Sequence, residues 1–294
     1  NLINLAYAQE RSFDVDTQSR ILQFASLSFD ACIFEVVMAL SHGAVLHVAP
    51  KAVIMPGDPL LDYLEKHEIT HASLPPAALS GVAPRLLPSL QWLAVAGEAC
   101  PQSVVQSWGR GRRFINGYGP TESTVAVCFY DCDPESKVDP YIGRPLANIQ
   151  LYVLTVKGTL APIGVAGELH IGGAGVARGY LGQKDLTESR FIGNPFSDDH
   201  NDRLYKTGDL CRWSAEGELE YLGRIDEQVK VRGFRIELGE IESQLNGHGQ
   251  VNDAAVVARD EGVEKQLIAY VTTDGTLGGR DKLVVSLKTH LEDV

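Results

Sequence analysis

The hydrophobic period of the first half of the chain keeps switching, and this constrains the fold more than any other feature of the sequence. Phe29 to Ser41 repeats its apolar residues at helical spacing, and Ala44 to Ala49 reads as a short buried strand. Pro59 to His67 then reads as an amphipathic helix and Trp92 to Ala96 as a further buried strand. Strands separated by helices build βαβ units, so this half predicts layered α/β structure. From about Ile149 the rhythm shortens. Gln150 to Leu154, Gly167 to Ile171 and Glu218 to Leu222 are alternating runs broken by glycines, which predicts hairpins in a small β-barrel-like part packed on the first. Past Gly223 the charge density rises through Arg224, Asp226, Glu227, Lys230 and Arg232. A helix over 238–245 and strands over 251–259 and 267–272 follow, a compact α+β tail. The charged stretch is the natural domain boundary, dividing the chain into 1–225 and 226–294.

Charge and cysteine usage narrow the function. Among 294 residues, 26 Lys and Arg face 38 Asp and Glu, a net charge of −12 that repels nucleic acid phosphates. The longest apolar runs, such as Ala31 to Leu40, fall well short of the ~20 residues that cross a bilayer. Asn1 to Glu10 has no basic segment leading into an apolar one, so a cytoplasmic protein is expected. The five cysteines are odd in number and irregularly spaced, which fits reduced thiols. Cys128 and Cys132 lie four apart without a second pair, and His42, His47, His67 and His71 lack ligand spacing, so no structural metal is expected.

Three stretches carry chemistry. In Asn116-Gly-Tyr-Gly-Pro-Thr-Glu122 the glycines and proline predict a tight loop presenting an aromatic face, a hydroxyl and a carboxylate. That set suits purine stacking on Tyr118, a phosphate contact from Thr121 and a Mg²⁺ ion on Glu122. Tyr205-Lys-Thr-Gly-Asp-Leu210 places Asp209 after a Thr-Gly turn, where its carboxylate can accept both ribose hydroxyls. Gly223 to Glu242 is too dense in charge to be core.

With Phe24 to Ala31 and Gly167 to Leu181, these blocks in this order resemble the adenylation domains of nonribosomal peptide synthetases. That superfamily also holds acyl-CoA synthetases and firefly luciferases. The resemblance implies an α/β fold with a large N-terminal subdomain and a small mobile C-terminal one hinged near Asp226. It also implies a reaction: an amino acid and ATP form an aminoacyl adenylate and pyrophosphate, and the adenylate is passed to a phosphopantetheine thiol. The thiol belongs to a peptidyl carrier domain, and a condensation domain is a further candidate neighbour. ATP and Mg²⁺ are the implied cofactors, and antibiotic biosynthesis the implied setting. Carried over position by position, Gly97, Glu98, Ala99, Asn116 and Tyr118 are expected around adenine and Asp209 at the ribose. Thr121 is expected at a phosphate, Glu122 as metal ligand and Arg224 as a further nucleotide contact. The family's phosphate loop ending in Pro-Lys-Gly and its closing segment with the catalytic lysine have no counterpart here and are expected outside residues 1–294.

The positions matching the family's amino acid pocket are Asp30, Ala31, Phe34, Ser73, Ala94, Ala96, Gly117, Val125 and Ala126. Asp30 is expected to meet the substrate ammonium, a partner that a fatty or aryl acid would not supply. This sets an amino acid enzyme apart from an acyl-CoA or aryl acid ligase; a helix N-cap is the structural alternative for Asp30. A non-catalytic carrier-binding scaffold is the third reading. Five of the nine positions are Ala or Gly and none besides Asp30 is charged, which predicts a bulky uncharged substrate, Phe, Tyr or Trp, with Leu-like side chains as runner-up.

Overall fold

A computed structural model of the chain describes residues 1–226, 228–231, 234–261, 264–273 and 280–292. Glu227 and Arg232 of the charged stretch lie outside the described residues. The chain divides into two compact units, Asn1–Ile225 and Asp226–Val294. The first unit opens with α1 (Leu2–Phe13), β1 (Arg20–Gln23), α2 (Ala31–Leu40), β2 (Val45–Val48), α3 (Lys51–Ile54), α4 (Asp58–Lys66) and β3 (His71–Leu74). It continues through α5 (Pro76–Ser80), β4 (Trp92–Val95), α6 (Gln102–Trp108), β5 (Arg113–Tyr118), β6 (Cys128–Asp131) and β7 (Arg144–Pro145). These strands form one seven-stranded sheet in the order β2-β1-β3-β4-β5-β6-β7. Pairing is parallel from β2 to β5, where helices make the crossovers, and antiparallel from β5 to β7, where loops do. β4 is buried along its whole length, the pattern of a strand covered on both faces.

The later strands of this unit are β8 (Ile149–Leu154), β9 (Gly167–Gly173), β10 (Phe191–Gly193), β11 (Arg203–Trp213) and β12 (Leu219–Arg224), with α7 (Lys184–Arg190) before β10. They form an antiparallel sheet ordered β10-β11-β9-β8, with β12 also on β11. Ile142 N–H donates to Leu219 O at 2.8 Å and Leu219 N–H to Gly143 O at 3.0 Å, which joins β12 to the segment leading into β7. Three apolar clusters fill the unit. One centres on Leu93, Val95 and Phe114, one on Leu169, Ile171 and Tyr205, and one on Phe13, Phe34 and Trp92.

The second unit holds the hairpin β13 (Val229–Val231) and β14 (Phe234–Ile236), then α8 (Leu238–Asn246), the hairpin β15 (Asp253–Glu261) and β16 (Glu264–Thr272), and α9 (Arg280–Glu292). Its core gathers Leu238, Leu245, Val251, Ala254 and Val256. The Glu242 carboxylate accepts Val256 N–H at 2.7 Å, tying α8 to β15.

Two local expectations are corrected. Asn116, Gly117 and Tyr118 lie inside β5 and not in a loop, because β4 and β6 hold that strand from both sides. Thr207-Gly208 is not a hairpin turn either. It is an irregularity within β11, where pairing to β9 runs from Lys206↔His170 directly to Leu210↔Glu168.

Gly143 shows how closely the strands approach: its φ is +96° and a Cβ there would overlap the Phe129 carbonyl. Gly158, at φ +74°, faces open space. Gly143→Ala is therefore expected to cost about 3 kcal/mol or more in denaturant unfolding, against about 1 kcal/mol for Gly158→Ala. Equal costs would contradict the packing described for β6 and β7.

Candidate active site

The irregularity in β11 turns Asp209 inward. Gly208 takes φ +72°, Thr207 Oγ1 donates to Leu169 O at 2.7 Å, and Asp209 N–H donates back to Thr207 Oγ1 at 2.9 Å. Asp209 is 3% exposed. Its Oδ1 accepts from Arg224 Nη1 at 2.9 Å, and the same Nη1 also donates to Thr207 O at 3.0 Å. Its Oδ2 accepts the Tyr118 hydroxyl. A buried ion pair offsets its desolvation only when further hydrogen bonds serve the charges, and here Tyr118 and Thr207 do so. Burial, then the Asp209 charge, holds the Tyr118 phenol well above its ordinary pKa, so it remains a donor. Tyr118 itself is 7% exposed, buried where an open aromatic face was expected. Each Asp209 oxygen accepts from one protein donor in these contacts, so each retains further acceptor capacity.

Thr121 and Glu122 follow β5 in a short 3-10 turn (Thr121–Ser123), Thr121 exposed and Glu122 9% exposed. Glu122 Oε1 accepts the Tyr180 hydroxyl at 2.7 Å, and Glu122 O accepts Ala177 N–H at 2.8 Å. Among the described residues no group of three or more His, Cys, Asp or Glu could hold a metal by itself. A lone carboxylate nonetheless fits Mg²⁺, which takes one or two protein carboxylates and completes its shell with phosphate oxygens and water. Thr124 and Val125 come next, both left-handed at φ +65° and +68°. A β-branched residue there is strained by about 1–3 kcal/mol and persists only under outside restraint. Thr124 Oγ1 donates to Gly175 O at 2.7 Å, Asn1 Nδ2 donates to Thr124 Oγ1 at 3.1 Å, and Gly119 leaves the room that a Cβ, 2.5 Å from Val125 O, would close.

The remaining expected nucleotide positions are distributed around this centre. Asn116 is buried and donates from Nδ2 to Tyr141 O at 2.8 Å. Gly97, Glu98 and Ala99 follow the C-terminal end of β4, with Gly97 at φ +91° and Glu98 Oε1 accepting Ala77 N–H at 2.7 Å. Asp226 is the first residue of the second unit, exposed, its Oδ1 accepting Gln228 N–H at 3.3 Å.

Of the expected pocket positions, Ser73 and Ala94 face each other across β3 and β4, and Phe34, Ala94, Val125 and Ala126 share one apolar cluster. Ala31 begins α2, Ala96 follows β4 and Gly117 lies in β5. Asp30 is the half-buried N-cap residue of α2, in the position of the structural alternative, and its carboxylate makes no capping hydrogen bond. The cavity between Phe34, Ser73 and Ala94 is also walled by Phe13, His71 and Trp92, and has room for about one water. It lends no support to a bulky aromatic substrate.

The pocket wall contains a residue that motif reading passed over. Glu35 is 1% exposed, and its carboxylate accepts Phe24 N–H at 3.1 Å and Ala25 N–H at 3.2 Å, clamping the end of β1 to α2. A lone acid inside the apolar run Ala31 to Leu40 was the available signal. Burial pushes its pKa up to about 8, against the pull of those N–H groups.

The family model of AMP-binding enzymes matches residues 1–181, and the chain belongs to that family. It is 48% identical over 281 residues to chondramide synthase cmdD of Chondromyces crocatus, covering 94% of this chain and 7% of the relative. It is 46% identical over 273 residues to bacitracin synthase 3 of Bacillus licheniformis, covering 92% of this chain and 4% of that protein. A crystal structure of the Vibrio cholerae adenylation domain AlmE with glycyl-adenosine-5'-phosphate matches at TM-score 0.85 and 27% identity, covering 98% of this chain and 56% of that one. NpsA-ThdA of Klebsiella oxytoca, an artificially fused adenylation-PCP di-domain, matches at TM-score 0.79 and 27% identity, covering 98% and 58%. The chain thus spans a small part of the synthetases and somewhat over half of these solved structures. The resemblance read from the motifs and the mixed α/β fold are borne out.

The Glu35 environment has a measurable consequence. Between about pH 4.5 and 8 the folded chain retains a proton that the unfolded chain has released, so this residue makes stability fall as pH rises through that window. Glu35→Gln is expected to flatten that part of the profile in urea unfolding measured from pH 5 to 9. Parallel profiles for the two proteins would contradict a raised Glu35 pKa.

Proposed function

We propose that this chain is part of an amino acid adenylating enzyme that loads a peptidyl carrier. The amino acid carboxylate attacks the α-phosphorus of ATP, the α–β phosphoanhydride bond breaks, and pyrophosphate leaves. The phosphopantetheine thiol of the carrier then takes the aminoacyl group and AMP is released. The observation that carries this reading is the buried Asp209 carboxylate, held by Tyr118 and Arg224 in the chain segments that follow the family's order.

Asp209 would accept the ribose hydroxyls, Tyr118 and Asn116 with the backbone at Gly97 to Ala99 would flank adenine, Thr121 would contact phosphate and Arg224 would be a further nucleotide contact. Glu122 would hold Mg²⁺, which when bound neutralises phosphate charge. Asp30 would meet the substrate ammonium, a partner that a fatty or aryl acid would not supply. Reactions of this kind depend on positioning and charge neutralisation, so no protein nucleophile is required. AlmE with its glycyl adenylate and the adenylation-PCP fusion support the substrate class and the carrier partner. A turn of the small unit about Asp226 between the two half-reactions, a condensation domain as neighbour and a cytoplasmic setting belong to the same proposal. No helix among the described residues is long and apolar enough to cross a membrane. The substrate is proposed to be an uncharged amino acid.

Two measurements on the full-length protein test this. Asp209→Asn should raise the Kd for ATP by about tenfold, while Glu122→Gln should mainly lower the rate of amino-acid-dependent pyrophosphate exchange. Unchanged exchange and binding in both variants would refute the residue assignment, and no exchange by the unmutated protein with any amino acid would leave the non-catalytic scaffold. In a panel of amino acids, Asp, Glu, Lys and Arg should give background exchange only, because their charge would enter an apolar pocket unpaired. Strongest exchange with any of the four would refute the pocket.

A further inference from the structure

Resting on the reading of Glu122 as a metal-binding carboxylate, we propose that Tyr180 is a positioning residue that holds Glu122 in its cation-binding rotamer. Glu122 stands on a short 3-10 turn that leads into the strained pair Thr124 and Val125, and such a turn does not by itself hold a side chain still. The Tyr180 hydroxyl donates to Glu122 Oε1 at 2.7 Å, which stops rotation of the carboxylate about its last bond. A carboxylate already held in one rotamer loses less side-chain entropy when it takes up a cation.

Tyr180 is in turn fixed from several directions. Thr187 Oγ1 accepts Tyr180 N–H at 2.9 Å and donates to Gln183 O at 2.8 Å. Gly179, at φ +136°, lets the Thr187 methyl sit where a Cβ would stand. The Tyr180 ring meets Phe191 edge-on at 5.5 Å between centroids. The carbonyls of Ala177 and Arg178 accept from the Arg203 guanidinium at 2.8 and 2.9 Å. The Tyr180 and Tyr205 side chains are also hydrogen-bonded to each other. Tyr205 begins the stretch of β11 that ends at Asp209, so the restraint on Glu122 starts from the strand that carries the proposed ribose ligand.

The test uses the full-length protein with Mn²⁺ as probe, its binding in the presence of ATP followed by electron paramagnetic resonance. Tyr180→Phe, which removes one oxygen, should weaken Mn²⁺ binding about tenfold, with ATP binding in the absence of metal and the unfolding midpoint both unchanged. Thr187→Val, which releases the Tyr180 backbone, should weaken it in the same direction by less. Glu122→Gln separates the two readings. If it weakens Mn²⁺ binding and Tyr180→Phe does not, the positioning role is overturned while the metal ligand stands. If Glu122→Gln leaves Mn²⁺ binding unchanged, both are overturned. Should Tyr180→Phe lower the unfolding midpoint, Thr187→Val decides alone: unchanged Mn²⁺ binding there overturns the proposal.

Discussion

The hydrogen bond from Tyr118 to Asp209 joins the two sheets of the first unit. Tyr118 ends β5 of the mixed sheet, Asp209 lies in β11 of the antiparallel sheet, and Arg224 closes β12 beside it. Each depends on the others. Without Arg224 the Asp209 charge would be buried unpaired, at a cost on the order of 3–5 kcal/mol, and without Asp209 the Tyr118 hydroxyl would lose its acceptor. Because well-packed apolar residues usually stabilise a core as well as a buried ion pair does, stability alone gives little reason to keep this one. Its place at the junction of the sheets, with acceptor capacity remaining on both carboxylate oxygens, fits the ribose-binding role proposed for it.

The same economy of arrangement governs the segment after Tyr118. Glu122 faces Tyr180 because the chain from Gly173 to Tyr180 runs against it, and the left-handed Thr124, next to Val125, is held by Gly175 and Asn1 across that contact. Val125 and Ala126 reach the apolar cluster of Phe34 and Ala94 from this strained turn. The proposed metal ligand and part of the proposed substrate pocket therefore share one short piece of backbone, so a change at Gly119 or Gly175 should disturb both.

Much of this was legible in the sequence, and the exceptions have physical causes. Period alone located α2, β4, β8 and α8 to within a few residues, since burial on one face or both leaves a strong pattern. Motif order singled out Glu122 and Asp209, two carboxylates that the fold buries. What failed was local chemistry overruled by pairing. The glycines around Tyr118 read as a loop, but hydrogen bonds to β4 and β6 hold Asn116 to Tyr118 as strand and bury the ring. Thr207-Gly208 read as a turn, but β11 continues through it with a local irregularity. Glu35 and Tyr180 went unnoticed because their importance lies in partners distant along the chain or on a neighbouring loop. The bulky substrate read from counting small residues gains no support: Ala and Gly leave space only if larger neighbours do not enter it, and Phe13 and Trp92 line the same cavity.

A crystal structure of the full-length protein with AMP bound tests the central claim most directly. The account predicts both ribose hydroxyls within hydrogen-bonding distance of the Asp209 carboxylate, with adenine between Asn116 and the backbone following Gly97. A nucleotide bound elsewhere, with Asp209 still enclosed by Tyr118 and Arg224 and touching no ligand, would contradict it.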